Sequence, residues 1–142
     1  IKNTDIVSVH YESSFQVQRV LDWLLPYGCK RFLAINPATP INVLEEVLDY
    51  IDGINLLMVN PGFAGQKIVP STLKKVRKVV DLLKKAGRED ITIEVDGNIT
   101  LENAKVLKGI GADIFVAGTS SLFKDGISSY MENIKRLRQA IK

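Results

Sequence analysis

Short runs of β-branched and apolar residues alternate along the chain with longer stretches in which apolar residues recur at helical spacing. Five short runs are typical of β-strands, because they are rich in valine and isoleucine. The predicted strands are residues 5–10, 31–36, 54–60, 91–96 and 113–118. The predicted helices are residues 14–27, 39–50, 71–86, 101–110 and 127–140. Strands that are each followed by a helix predict an α/β domain with a parallel sheet and crossover helices.

Each predicted strand ends in a polar residue or in glycine. These residues are His10, Asn36, Asn60, Asp96 and Gly118. In a parallel α/β sheet, the carboxyl ends of the strands lie on one face, where such folds carry their chemistry. Five such ends in succession indicate a functional site on that face.

Two architectures fit this order of elements, an open doubly wound sheet and part of a (β/α)₈ barrel. The first strand–helix turn lacks G-x-G-x-x-G, and G-x-x-x-x-G-K-[ST] occurs nowhere, which argues against nucleotide-binding versions. Glycine-containing loops instead follow the third, fourth and fifth strands. Barrels often build a phosphate site from their last loops, so these glycines favour the barrel.

Composition narrows the class of protein. The chain is 46% hydrophobic and 25% charged, as in ordinary globular domains, and no apolar run approaches the roughly 20 residues that span a bilayer. A single cysteine, Cys29, excludes an internal disulfide framework and a multi-cysteine zinc site. The net charge of +3 is too small to indicate nucleic acid. We therefore expect neither a nucleic acid nor a membrane as a partner.

The chain starts at Ile1, shortly before a predicted core strand, without the charged leader and apolar stretch of a signal peptide. We expect residues to be missing upstream, so that 1–142 form the C-terminal part of a single domain, and we expect a cytoplasmic location. Five strands cannot close an eight-stranded barrel, so two sheet edges need cover. We expect the rest of the barrel or association to cover them, and we expect a homo-oligomer.

Five motifs follow one another over essentially the whole chain. They are Ser-Val-His at 8–10, Asn-Pro-Ala-Thr-Pro at 36–40, Val-Asn-Pro-Gly-Phe-Ala-Gly-Gln at 59–66, Ile-Glu-Val-Asp-Gly at 93–97 and Val-Ala-Gly-Thr-Ser at 116–120. Together they resemble the ribulose-phosphate 3-epimerase family, whose members are (β/α)₈ barrels that use a divalent metal. The resemblance implies that the chain covers strands four to eight only. It also implies an isomerase of the pentose phosphate pathway that interconverts D-ribulose 5-phosphate and D-xylulose 5-phosphate.

The resemblance also implies roles for two side chains. His10 and Asp96 are expected to bind the metal, His10 through a neutral imidazole, and such ligands suit zinc, iron, manganese or cobalt. Asp96 is expected to be one of two acid/base carboxylates, because epimerisation removes a proton from one face of a planar enediolate and returns one to the other. The metal would stabilise the negative charge of that enediolate.

The remaining metal ligands and the second carboxylate belong, in the family, to a His-x-Asp motif on the second strand. This chain contains only one histidine and therefore lacks that motif. We expect these 142 residues alone to bind metal weakly and not to epimerise.

Three loops are expected to bind the phosphate of the substrate. Their residues are Gly62, Phe63, Ala64, Gly65, Asp96, Gly97, Asn98, Gly118 and Thr119, with His10 in the same substrate site. Backbone N–H groups reach a phosphate where no side chain blocks them, and the start of a helix adds a partial positive charge.

Some residues depart from the commoner family pattern. Asn98 stands in place of a second glycine, Gly65 follows Ala64, and residues 119–121 are Thr-Ser-Ser in place of a Ser-Ala segment. These variants resemble the branch that acts on D-allulose 6-phosphate, so a ketohexose phosphate is an alternative substrate. Asparagine tolerates a left-handed backbone, which predicts that the turn survives. When the chain is aligned with the family pattern without gaps, Leu57 stands where the family usually has a site-lining methionine. We expect the neighbouring Met58 to pack in the core.

Other classes of function stay open. One is a non-catalytic fragment that binds sugar phosphate, and another is a different phosphate-binding barrel, such as a decarboxylase or an isomerase of tryptophan or histidine synthesis. The pair of His10 and Asp96 disfavours the second class. The lysines of the 71–86 helix, Lys75 among them, are expected on a solvated face, and Trp23 and Tyr27 in the core or at an interface.

Overall fold

Five parallel strands form one sheet in the order in which they occur in the chain. A computed structural model describes all residues, 1–142. The strands are β1 Ile6–His10, β2 Lys30–Ile35, β3 Gly53–Leu57, β4 Thr92–Asp96 and β5 Ile114–Val116. The α-helices are α1 Val17–Leu24, α2 Pro70–Ala86, α3 Leu101–Ile110 and α4 Tyr130–Ala140. A strand order without reversal belongs to the (β/α)₈ barrel and not to the doubly wound sheet, which confirms the predicted fold class.

The core lies between the sheet and the helices. It is a cluster of 22 buried residues, to which the strands contribute side chains such as Leu33, Ile54 and Val95. Leu21 of α1 and Leu107 of α3 are fully buried against them. Each such side chain contributes about 1.5–3 kcal/mol when it leaves water, so this layer holds the sheet and the helices together.

Polar side chains lie on the opposite face of the sheet, because side chains alternate between the two faces along a strand. The register pairs His10 with Ala34, Ala34 with Asn55, and Asn55 with Glu94. Asp96, two residues beyond Glu94, therefore shares the face of His10. The sheet thus carries both predicted metal ligands on the side that the helices do not cover.

Three predicted helices differ from the structure at their ends or in their winding. Residues Ile41–Tyr50 form 3₁₀ turns in place of an α-helix. Because a 3₁₀ turn has three residues, Leu44 and Val47 lie on the same side of this segment, and both are buried. The first helix ends in the 3₁₀ turn Leu25–Tyr27, where Pro26 lacks the N–H that an α-helix needs. A 3₁₀ turn, Ile127–Ser129, likewise precedes α4.

The two outer strands each pair with one neighbour. β1 pairs with β2, and β5 pairs with β4 over three positions only, so β5 is shorter than predicted. On α1 and the turn after it, Trp23 is 66% exposed and Tyr27 is 52% exposed, which excludes the core as their place in this chain. No helix is both long enough and apolar enough to cross a membrane.

Candidate active site

Asp96 is the last residue of β4, where the strand gives way to a glycine loop. The carboxylate is half-buried. Burial raises the pKa of Asp96, and the positive charge of a protonated His10 opposes that rise. His10 and Asp96 are the last residues of β1 and β4, so both side chains lie at the carboxyl end of the sheet. A carboxylate with a raised pKa holds a proton more readily than an ordinary aspartate, which suits an acid/base group.

His10 ends β1 and is oriented by a carboxylate that the sequence analysis did not single out. Nδ1 of His10 lies 3.5 Å from Oε2 of Glu12. Glu12 belongs to the 3₁₀ turn Tyr11–Ser13 directly after the strand. A carboxylate beside Nδ1 favours a proton on that nitrogen and leaves Nε2 free as a ligand atom. The signal in the sequence was a glutamate two residues after the strand-end histidine.

Glu12 is itself held by the loop that follows β2. Its Oε1 accepts hydrogen bonds from the backbone N–H of Asn36, at 2.9 Å, and from the Thr39 hydroxyl. Burial alone would raise the pKa of Glu12, but the hydrogen bonds from Thr39 and Asn36 lower it below its ordinary value. Glu12 is therefore a fixed anion between His10 and this loop.

One cavity of about 380 Å³ unites the three predicted phosphate loops. Eight predicted site residues line it, namely Phe63, Ala64, Gly65, Asp96, Gly97, Asn98, Gly118 and Thr119. His10 and Gly62 do not line it. Val59, Gln66, Ser120 and Phe123 line it as well and were not predicted. The glycine loops and the half-buried Asp96 therefore open into the same space.

Gly97 lets two of these loops approach each other. A Cβ atom at this position would lie 2.5 Å from Cγ2 of Val59 and 3.1 Å from its backbone nitrogen. The φ angle of Gly97 is also positive, at +110°. Both features require glycine, because other residues bear a Cβ and avoid this backbone conformation.

Asn98 adopts a left-handed conformation, with φ of 51°, as predicted for this departure from the family pattern. Its Oδ1 accepts from the N–H of Ile68 at 3.2 Å, and its Nδ2 donates to Oγ of Ser120 at 3.2 Å. Asn103 donates to Oδ1 and to the backbone oxygen of Asn98. Asn98 thereby connects the loops after β3, β4 and β5.

Comparison with known proteins identifies the family of the chain. The sequence model of the ribulose-phosphate 3 epimerase family matches residues 1–123. The chain belongs to this family. It is 44% identical over 140 residues to the ribulose-phosphate 3-epimerase of Buchnera aphidicola subsp. Baizongia pistaciae, a match that covers 99% of this chain and 60% of that protein. It is 45% identical over 114 residues to the enzyme of that name from Serratia marcescens, which covers 80% of this chain and 54% of the relative.

The ribulose-phosphate 3-epimerase of Escherichia coli is 44% identical over 115 residues, with 81% of this chain and 51% of that protein covered. The chain therefore spans between about half and 60% of the length of these curated family members. These relatives are named as epimerases, a class of isomerase.

Because the family generally depends on a divalent metal, we asked whether the side chains at this site could bind one. An imidazole and a carboxylate at one end of the sheet suit a borderline divalent cation. The structure holds no group of three or more His, Cys, Asp or Glu residues that could bind a metal ion by themselves. His10 and Asp96 thus have the chemistry of two ligands for such a cation, and the structure groups no third ligand with them.

The structure also places Leu57, the last residue of β3, and Met58, which follows it. Leu57 pairs in register with Asp96 and shares its face. Met58 is fully buried within the core cluster on the helix side. Core packing for Met58 is therefore confirmed, and Leu57 is the residue that lies on the face of Asp96.

Lys75 of α2 does not lie on a solvated face, contrary to the prediction for this helix. It is partly buried, and its Nζ donates to three backbone oxygens of the loop after β2. The spacing of charged residues along α2 could not predict these contacts, because the acceptors are backbone atoms of residues 36 to 39 positions away in the sequence. The neighbouring Lys74 and Lys78 are exposed as predicted.

Proposed function

We propose that the protein to which this chain belongs is a metal-dependent 3-epimerase that interconverts D-ribulose 5-phosphate and D-xylulose 5-phosphate. The observation that carries the proposal is the shared cavity, which joins three glycine-containing loops to the half-buried Asp96. A phosphorylated sugar bound by these loops extends its carbon chain from the cavity towards Asp96. The chain would then supply strands four to eight of one barrel, and β1 and β5 would pair with the strands that complete it.

The loops supply the binding. Gly62 and Gly65 have positive φ angles, and no atom lies within 4 Å of a Cβ built on either. Their backbone N–H groups can therefore meet a phosphate without interference from side chains. Gln66 fixes this loop, because its Nε2 donates to the backbone oxygens of Asn60 and Phe63.

Asp96 moves the proton on one face of the sugar. Its carboxylate accepts the proton from carbon 3 of one epimer, and the electron pair of the broken C–H bond shifts towards the neighbouring carbonyl oxygen. A second acid/base group on the opposite face then gives a proton to carbon 3, which yields the other epimer. In the reverse direction Asp96 starts protonated and donates.

His10 and Asp96 would hold a divalent cation, whose charge supplies stabilisation for the negative oxygens beside carbon 3. His10 contributes Nε2, because Glu12 favours the proton on Nδ1. Within this proposal the metal is zinc, iron, manganese or cobalt. The direct test is an epimerase assay on the complete protein with each sugar phosphate, before and after treatment with a chelator and after return of metal. Activity that a chelator leaves unchanged would contradict the role of the metal.

Replacement of His10 by alanine is expected to weaken metal binding about 100-fold or more. Loss of a hydrogen-bond partner of a metal ligand already costs about 10- to 100-fold, and loss of the ligand itself should cost more. Titration of the metal-free protein with Co²⁺, followed by visible absorption, measures the affinity. Circular dichroism checks that the variant is folded. A variant that binds Co²⁺ as tightly as the unchanged protein would remove His10 from the site.

Asn98 offers a second prediction, which separates its backbone conformation from its hydrogen bonds. Asn98→Gly removes the side-chain bonds to Ile68 and Ser120 without strain, whereas Asn98→Ala also forces alanine into the left-handed region at about 1–2 kcal/mol. We expect both variants to bind inorganic phosphate about 3- to 10-fold more weakly, since a loosened loop that costs about 1 kcal/mol of binding lowers the affinity about fivefold. Both variants lose these bonds, but Asn98→Ala should unfold at clearly lower urea concentration than Asn98→Gly because only alanine is strained there. Calorimetric titration and urea denaturation measure the two effects, and equal unfolding midpoints would contradict the strain argument.

D-Allulose 6-phosphate is the alternative substrate. The observation that favours it is the contact between Asn98 and Ser120, two residues at the departures from the commoner pattern that both line the cavity. A comparison of kcat/KM for the pentulose and hexulose phosphates decides between the substrates. Binding of both without turnover in the complete protein would instead support a non-catalytic sugar-phosphate-binding role.

The same proposal includes a cytoplasmic homo-oligomer. Trp23 and Tyr27 are large exposed side chains that an interface would cover. Light scattering of the complete protein measures the mass in solution, and a monomer at all concentrations would contradict the oligomer.

A further inference from the structure

The loop after β2 lies between a lysine on one side and a glutamate on the other. Nζ of Lys75 donates to the backbone oxygens of Asn36 at 2.8 Å, Pro37 at 2.7 Å and Thr39 at 2.6 Å. An ammonium group has three N–H donors, so these bonds use all of them. Burial lowers the pKa of Lys75, and the negative charge of Glu12 opposes that change. Lys75 is therefore committed to the loop and not to a ligand.

The other side of the same loop holds Glu12. The N–H of Asn36 and the hydroxyl of Thr39 donate to Oε1 of Glu12, while Oε2 faces Nδ1 of His10. The backbone turns tightly between these points, because the N–H of Thr39 donates to the oxygen of Asn36 at 3.1 Å. Asn36 and Thr39 thus contact Lys75 with their backbone oxygens and Glu12 with their donors. Any displacement of this loop moves the carboxylate that faces His10.

We propose that Lys75 is a positioning residue for the metal-binding histidine, acting from α2 through the loop 36–39 and Glu12. This inference rests on the proposed function, in which His10 binds a divalent cation. Loss of the ammonium group removes one hydrogen bond from each of three carbonyl oxygens and frees the loop. Glu12 then loses its fixed position, and the ring of His10 loses the partner that sets its orientation. Metal ligands whose outer hydrogen-bond partners are removed bind about 10- to 100-fold more weakly.

The experiment compares Lys75→Met with Lys78→Met in the complete protein. Lys78 is an exposed lysine on the same helix, so both variants lose one positive charge and gain the same side chain. We expect Lys75→Met to bind Co²⁺ about 10-fold more weakly and to change the visible spectrum of the bound ion. Lys78→Met should match the unchanged protein in both. If Lys75→Met lowers the thermal stability but keeps the affinity and the spectrum, Lys75 is only an anchor of the fold and the inference is wrong.

A double-mutant cycle with Glu12→Ala tests the route. If Lys75 acts through Glu12, Lys75→Met adds no further loss of Co²⁺ affinity to a protein that already carries Glu12→Ala. Losses that multiply would overturn the proposed route. Thr39→Val provides a milder variant that keeps every bond of Lys75 but removes the hydroxyl from Glu12, and it should also weaken Co²⁺ binding. Failure of the unchanged protein to bind Co²⁺ would overturn the proposed metal site itself, and with it this inference.

Discussion

Replacement of Asp96 by asparagine is expected to reduce the kcat of epimerisation about 1000-fold, with the fold intact. Asparagine keeps the shape of the side chain and one oxygen, but it cannot accept the proton from carbon 3. A positioned acid/base group contributes roughly 10²- to 10⁴-fold to a rate, and Asp96 is the only such group that this chain places in the cavity. The measurement is a coupled assay of each epimer with the complete protein saturated with metal.

Exchange of the carbon-3 hydrogen with deuterium from the solvent shows whether Asp96→Asn acts by removing the acid/base group or by releasing the metal. Because Asp96 serves one face of the sugar, the variant should still exchange the carbon-3 hydrogen of one epimer and not of the other. If the variant still binds metal but exchanges the carbon-3 hydrogen of neither epimer, Asp96 does not act on a single face. Asp49→Asn is a suitable control, since the Asp49 side chain is 92% exposed and lies outside the cavity. It should leave the rate unchanged.

Replacement of Gly97 by alanine is expected to cause the largest loss of stability, about 3 kcal/mol or more. The new methyl group would lie 2.5 Å from Cγ2 of Val59, and the neighbouring backbone nitrogen at 3.1 Å limits how far the loop can shift. Overpacking of this kind costs about 1–3 kcal/mol, and an unfavourable backbone conformation about 1–3 kcal/mol more. Urea denaturation of the complete protein measures the change in the free energy of unfolding.

Gly109 supplies the matched control for this substitution. It lies within α3, and no atom comes within 4 Å of a Cβ built on it. Gly109→Ala should raise the stability by about 0.5–1 kcal/mol, because alanine favours the helix. A Gly97→Ala variant as stable as Gly109→Ala would contradict the close approach between the loops after β3 and β4.

The barrel-type sheet and much of the site could be predicted from the sequence because each depends on local pattern. Valine- and isoleucine-rich runs identify strands, and the residue at which a run stops locates the carboxyl end of the strand. His10 and Asp96 were located as strand ends in this way, and their roles stay a prediction. Glycine-containing loops after successive strands converge because the sheet is parallel, which is why eight predicted residues line one cavity.

The remaining features depend on contacts between residues distant in the chain. Lys75 belongs to a helix whose charges repeat as on any exposed surface, and only the folded structure brings it to the backbone of residues 36–39. Glu12 acts through an oxygen that faces His10 and another that faces the loop. The 3₁₀ winding of residues Ile41–Tyr50 is equally invisible, since Leu44, Val47 and Leu48 also fit an α-helical pattern.

The most direct test of the account is an X-ray structure of the complete protein with zinc and a ketose phosphate, recorded at the zinc absorption edge. The account predicts an anomalous peak about 2.0–2.2 Å from Nε2 of His10 and from an Asp96 carboxylate oxygen. It also predicts the phosphate against the backbone N–H groups of Gly65, Gly97 and Thr119. A zinc ion bound elsewhere, with His10 and Asp96 free of it, would contradict the account.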